Sequence, residues 1–398
     1  MFMMVLFKLR TSSSFRGLQK QQELLRDHLG QVGRAPSNNT ILNWILKVGY
    51  HALMRPKEMA SDWVVILDTS IQMGQEKVLV ILGIRQANLE KLGRPLVFTD
   101  LVPLVIAVSR SWTGDDVHKE LAKLQEAVGT IIYAVADHGG ELRKGLRLTA
   151  IKHVHDLTHA LAIQVKNLYH DDPKYKSFCA KMSKMSAKFA QSGVAEIVPP
   201  AKRKKSPYQN VRPAIEWATK MLSFIASPEA RHPRHAKAVK ALRWLQRYTE
   251  LIHEMGELVD VIGSIETILK HGGLGAQTAM ECEKALKMLE NPKFGTFKDK
   301  FREWMRDNMA TMPPTQSTLC SSDIIESIFG AYKNFVSNNK MAGVTRLVLV
   351  MAALTIDLTL ESTKESMEAH TVQELKDWAS ENIGETLNQR RRKMNQAA

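Results

Sequence analysis

Cysteine is scarce in this 398-residue chain. The three present, Cys179, Cys282 and Cys320, are far apart and show no metal-ligand spacing. That excludes a disulfide framework and a cysteine-built zinc site, and it fits a reducing cytoplasm. Long apolar runs are also missing. Residues 1–7 are apolar but too few for a signal segment with its flanks, and residues 345–360 carry Arg346 and Asp357 and fall short of a bilayer span. No membrane segment is expected, and no internal repeat is visible. Acid is in deficit, with 41 Asp and Glu against 55 Lys and Arg, a formal net charge of +14. Such an excess of base favours a polyanionic partner, nucleic acid ahead of an anionic membrane. The 44% hydrophobic content is that of a globular protein, and the length allows two or three domains with real cores.

The N-terminal region, residues 1–58, reads as helical. Residues 12–29 form one helix ended by Gly30 and Gly33, and Pro36-Ser-Asn-Asn39 supplies caps for a second over 40–50 with Ile41, Trp44, Ile45 and Val48 on one face. Two short helices about a small-residue turn suit a helix-turn-helix reader of DNA or an ordinary helical hairpin, and both readings stand. Strands are expected next at 63–70, 77–85 and 96–109. The stretch from Asp62 to Gly74 matters most, because its β-branched run carries Asp68 into an apolar strand, where a carboxylate is costly unless paired or bound to metal. A helix over 113–128, with Thr113 as N-cap and acids in its first turn, leads to a fourth strand at 130–137 that ends in Asp137. Three antiparallel strands, a helix and a parallel strand predict a mixed α/β layer, in which ligands gather at the carboxyl ends of strands.

From 171 to 317 the pattern is all helical, bounded by loops at 192–213 and 309–317, and it reads as an insertion. A helix capped by Ser322 or Asp323 follows, then a buried helix over 345–357, within a second core segment of 318–360. The final 361–398 are read as a C-terminal helix with the basic tail Arg390-Arg-Arg-Lys393.

Asp68, Asp137 and Glu326, two strand-borne aspartates and a late helical glutamate behind a helical insertion, resemble the catalytic set of DDE transposases. The resemblance covers about 59–360, and its most specific pieces are ILDTSIQMG, AVADHGG, HDLTH and SDIIESIFGAYK. It is closest to insertion-sequence and hAT-like enzymes. It implies an α/β ribonuclease H-like mixed sheet over 59–170 and 318–360, interrupted by the all-α insertion of 171–317. It also implies an enzyme that uses two Mg2+ or Mn2+ ions, held by the three acids, to cut transposon ends and join 3′-hydroxyls to target DNA. Double-stranded DNA and a homodimer in synapsis are the implied partners, on the nucleoid of a bacterial cytoplasm. A nuclease of the same fold, or a transposase-derived DNA-binding protein that no longer cleaves, are the alternatives.

Glu326 and Lys333, two helical turns apart, project from one face, so Lys333 can hold a substrate phosphate near the metals. This glutamate–lysine spacing resembles a signature of one class of bacterial transposases. That class also has a tyrosine and an arginine where Leu319 and Ser322 stand here, so membership is not implied. Asp323 competes as third ligand but is expected to be occupied as an N-cap. Asp156 and His159, one helical turn apart, resemble the acid–x–x–histidine motif of hAT-like enzymes, where the pair supports the active site from behind. The His153-Val-His-Asp156 run lacks the spacing of a metallo-hydrolase cluster.

Base concentrates between 201 and 250, where twelve Lys or Arg face three acids. Lys202, Arg203, Lys204 and Lys205 form a run. On a helix expected around 236–251, Lys237, Lys240, Trp244 and Arg247 share one face, suited to DNA phosphates and to stacking of Trp244 on a base. Packing of Trp244, and of Trp217, within a helical core is the competing reading.

Overall fold

The computed structural model describes residues 1–398 apart from 12, 31–33, 74–75, 202–207, 209–210, 311–312, 314–315, 337–342, 386 and 398. Lys202, Arg203, Lys204, Lys205 and the expected turn at Gly74 therefore lie outside the described residues. The chain forms two compact units, one of residues 1–154 and 322–398, the other of 155–321.

In chain order the first part holds α1 (Phe2–Arg10), α2 (Phe15–Leu29), α3 (Asn38–Met54), β1 (Ala60–Met73), β2 (Glu76–Arg85), α4 (Gln86–Leu92), β3 (Val102–Ser109), α5 (Gly114–Val128), β4 (Gly129–Ala136), α6 (Gly140–Leu148) and β5 (Lys152–His155). The second unit is built on α7 (Leu157–Tyr169), α8 (Pro173–Phe189), α9 (Arg212–Ala226), α10 (Ala236–Leu242), α11 (Thr249–Gly272), α12 (Ala276–Lys287) and α13 (Gly295–Met309). The chain then returns to the first unit with α14 (Asp323–Lys333), α15 (Val350–Ala353), α16 (Leu360–Ala369), α17 (Val372–Asn382) and α18 (Leu387–Ala397). No described helix is long and apolar enough to cross a membrane.

The five strands form one sheet in the order β3-β2-β1-β4-β5. β1–β2 and β2–β3 are antiparallel, and β1–β4 is parallel. The right-handed crossover normally required between parallel neighbours is long enough here to include β2, β3 and α5. Side chains alternate across the sheet, so Trp63, Val65 and Leu67 of β1 face α5 and α6, sharing a core with Val117, Leu121, Leu124, Leu142 and Leu146. Val64, Ile66 and Asp68 face the opposite side.

α5 starts where its residues dictate. Thr113 Oγ1 accepts from the Asp116 amide at 3.2 Å while Asp116 Oδ2 accepts from the Thr113 amide at 3.1 Å, a reciprocal cap. The opposite face of the sheet is covered through α3 and α15. α3 buries Ile41, Ile45, Leu46, Val48 and Ala52, and its Gly49 lies against the Leu349 backbone so closely that a Cβ there would stand 2.0 Å from the carbonyl oxygen. The face of α3 carrying Ile41, Ile45 and Val48 is therefore inside the first unit. Residues 1–58 belong to that unit with the sheet rather than to a body of their own.

Several elements differ from the sequence expectation. The third strand is only Val102–Ser109, because Phe98–Asp100 is a 3-10 turn in which Asp100 accepts from the Val97 amide and pairs with Arg94. The apolar stretch after 345 is buried as expected but is broken into a 3-10 turn, Arg346–Leu349, and the short α15, in keeping with its β-branched content. The expected helix over 236–251 is α10, then a 3-10 segment Arg243–Tyr248, then α11. β5 and α6 were not foreseen. β5 is four residues long and α6 nine, too short for a clear period.

His51, buried on α3, places Nδ1 3.3 Å from His370 Nε2, and burial holds its pKa below the usual histidine value. Glu365, 3.7 Å from its Nε2, pulls the other way, while His370, Arg55 and Lys57 add to the depression. A histidine harder to protonate when folded binds fewer protons in the native state, so this contribution is complete above pH 6.5 and is lost as pH falls toward the folded pKa. The melting midpoint should drop between pH 7.5 and 5.5, and His51→Gln should flatten that drop. An unchanged pH slope in the variant would remove His51 as its source.

Candidate active site at the carboxyl ends of β1 and β4

Two features of β1 place Asp68. Its side chain leaves the sheet on the face away from α5 and α6, and a bulge follows immediately. Asp68 pairs with Val80 and Ile71 with Val78, so β1 carries one residue more than β2 across that interval. Bulges re-aim side chains and end regular pairing, and they recur beside functional sites. Asp68 is half-buried, a position that a hydrated carboxylate can hold.

Asp137 is the first residue beyond β4. Ile66 of β1 is level with Val135 of β4, an offset of 69. Neighbouring strands lie about 4.8 Å apart. The recorded pairing ends at Ile66 and Val135; carried one further step on the same face, it would set Asp68 beside Asp137 at the carboxyl end where β4 stops and β1 runs on. Asp137 is also half-buried, and its Oδ1 accepts from the Gly139 amide at 2.8 Å, which fixes one oxygen and leaves the rest of the carboxylate to other donors.

α14 carries Glu326, the third expected acid, which the structure does not gather with Asp68 and Asp137 into a group able to hold a metal ion. The helix packs against β1, burying Ile325, Ile328, Phe329 and Tyr332, none of which joins the core shared with α5 and α6. It therefore covers the Asp68 face. Glu326 is exposed on the flank of that buried stripe, and exposed Lys333, seven residues on, lies on the same flank about 10 Å along the axis. Ser322 occupies the N-cap position and Asp323 is the first helical residue. The N-cap position that set Asp323 aside is held by Ser322, so both acids of the first turn must be tested. Among the described residues no group of three or more His, Cys, Asp or Glu is arranged to hold a metal ion.

Two neighbours were given no place at this site by the sequence. Glu141, in the first turn of α6, accepts from Thr69 Oγ1 at 3.1 Å. A Cβ on Gly139 would lie 2.9 Å from Asp137 Oδ1 and 3.5 Å from Glu141 Oε2, so the two carboxylates flank the same turn. His153 of β5 donates from Nε2 to the Ala136 carbonyl at 3.2 Å, next to Asp137. Burial chiefly holds its pKa below the histidine norm, which suits a neutral ring. The Gly139-Gly140-Glu141 run after a strand-end aspartate was the available signal for the first; the second stands in the His153-Val-His-Asp156 run, set aside on its spacing.

No family model and no curated protein matches the chain. Among solved structures it is similar to the Drosophila P element transposase strand transfer complex, with 13% identity over 89% of this chain and 94% of that one and a TM-score of 0.41.

The remaining expected residues lie in the second unit. Asp156 is fully buried and is the N-cap of α7, its Oδ2 accepting from the His159 amide at 2.8 Å and lying 2.9 Å from His159 Nδ1. The pair is thus formed as a capped helix start. Lys237, Lys240 and Arg247 are exposed, and Arg231, Arg234 and Arg243 join them. Trp244 is not among them in the way expected. The break after α10 turns its ring into an aromatic group, stacked 6.4 Å from Trp217 and beside Phe178 and Tyr248 at 6.2 and 5.9 Å. Its Nε1 is buried without a hydrogen-bond partner. In this structure Trp244 is a packed residue, with charged neighbours around it.

Proposed function

We propose that the chain is a divalent-metal-dependent DNA transposase of the DDE kind, with a ribonuclease H-like first unit. The observation that supports this reading is the parallel register of β1 and β4, recorded to Ile66 and Val135, which directs Asp68 and Asp137 toward the same end and face of the sheet that α14 packs against. The donor set is all carboxylate oxygen, which is what Mg2+ or Mn2+ takes. Asp68, Asp137 and Glu326 would hold two such ions, whose chemistry is to raise the nucleophilicity of water or a 3′-hydroxyl and to stabilise the leaving oxygen.

The chain's own residues do the rest. The Gly139 amide and the β1 bulge orient the two aspartates, and Lys333 offers a cation to a phosphate on the same flank as Glu326. Asp156 and His159, in the second unit, would fix the start of α7. Lys237, Lys240 and Arg247, with the run of 202–205, would neutralise DNA phosphates. The reading extends to a homodimer that pairs two DNA ends, acting on chromosomal DNA in a reducing bacterial cytoplasm.

The test is cleavage of DNA carrying the inverted repeats that flank the coding region, in Mg2+ or Mn2+. Nicked ends and 3′-hydroxyls joined to a target are expected. Protein shown to be folded and DNA-bound that cuts nothing in either metal would leave a DNA-binding protein, and cutting without joining would leave a nuclease. DNA affinity should also fall with salt. If about four phosphates are neutralised, the loss between 50 and 200 mM is on the order of 100-fold. An affinity that stays flat over that range would argue against a nucleic-acid partner.

A further inference from the structure

The first unit contains a cavity of about 670 Å³ whose lining includes neither Asp68 nor Asp137, within the roughly 300–1,000 Å³ of small-molecule sites. It lies where the end of α1 meets the far end of α14 and the residues after α15. Phe98, Leu354 and Ile356 form apolar wall, and Lys8, Arg10 and Asn334 bring polar groups to it.

Lys8 is the unusual member. It is only 6% exposed, and burial lowers its pKa. Its ammonium donates to the Ser13 carbonyl at 2.8 Å and stands 4.3 Å from the Phe335 ring centre and 4.9 Å from that of Phe15. All 41 Asp and Glu residues are described, and none forms an ion pair with Lys8 or with Arg10. A cation at the end of α1 suits the helix dipole, but that interaction asks only for a surface position, which Arg10 already supplies. Burying a second cation costs far more unless an anion meets it.

We propose that this cavity binds a phosphate monoester carried on a planar aromatic body. The phosphate dianion would lie between Lys8 and Arg10, and the aromatic body against Phe98 and the aliphatic wall. Two cations facing one cavity match a dianion better than a carboxylate. A free mononucleotide and the 5′-phosphorylated end of a DNA strand share this chemistry. The inference stands apart from Asp68 and Asp137 and does not need them to be catalytic.

Isothermal titration of the full chain with deoxyadenosine 5′-monophosphate, deoxyadenosine and inorganic phosphate tests it. The monophosphate should bind at least tenfold more tightly than either fragment. Lys8→Met, which keeps the buried stem, and Leu354→Trp, which fills the cavity without touching charge, should each weaken it tenfold or more. Arg10→Met, at an exposed position, should weaken it severalfold and serves if the buried variants do not fold. No binding of the monophosphate at millimolar concentration, equal binding of the nucleoside, or unchanged affinity in a folded Lys8 or Arg10 variant would overturn the proposal. A short single strand with and without a 5′-phosphate identifies the source. Preference for the phosphorylated strand over the mononucleotide assigns a DNA end, and the reverse a free nucleotide.

Discussion

Asp68→Asn and Asp137→Asn are each expected to lower metal-dependent DNA cleavage by about a thousandfold or more while leaving DNA affinity within about twofold. Metal-assisted stabilisation of a phosphoryl transfer is worth several kcal/mol, and each 1.36 kcal/mol is tenfold in rate. Asparagine keeps the shape and one acceptor oxygen, so the Gly139 amide bond to position 137 survives and the turn should fold as before. What disappears is the charge that would draw the cations. Single-turnover cleavage beside a binding titration separates the two effects. Either variant cutting at the parental rate would end the two-aspartate reading. Glu326→Gln and Asp323→Asn extend the test to α14. Both sit in its first turn, where the helix dipole favours negative charge, so only the one whose loss abolishes cutting is the third ligand.

Gly49→Ala is expected to destabilise the first unit by about 1–3 kcal/mol or more, the usual cost of overpacking. On an isolated helix the same change would stabilise by up to about 1 kcal/mol, since alanine is the better helix former. Packing should prevail here because the added carbon would lie 2.0 Å from the Leu349 carbonyl oxygen and 2.8 Å from its carbon. Those are backbone atoms, with no rotamer that moves them aside. α3 must then move off residues 346–353 and loosen the buried layer of Ile45, Leu46, Val48, Val350 and Met351. Chemical denaturation measures the loss, and an alanine variant as stable as the parent would show that α3 can shift at no cost.

Much of the first unit could be read from local pattern. The β-branched runs of β1, β2 and β4, the Thr113 cap of α5, and the helices around 15–29 and 38–54 all lie near their expected places. The failures share a cause. The stretch after 345 is buried on every side, so its apolar run carries no period and its short turns do not show. The face assigned to Trp244 assumed one continuous helix, and a 3-10 segment from Arg243 rotates the ring onto Trp217. Lys8 looked like one cation among many, because its burial depends on Phe15 and Phe335, the second of them more than 300 residues away.

The sequence alone determined that Asp68 sits in an apolar strand, that Asp137 ends another, and that Glu326 and Lys333 share one side of a helix. Propensity, caps and the 2- and 3.6-residue periods act within a few neighbours, so a linear reading captures them. Only the tertiary structure decided that β1 and β4 are parallel neighbours with Ile66 level with Val135, that α14 packs against β1, and that Gly49 must remain small. Register between strands 69 residues apart, and the approach of one backbone to another, are settled by how whole faces pack rather than by any residue's own preference.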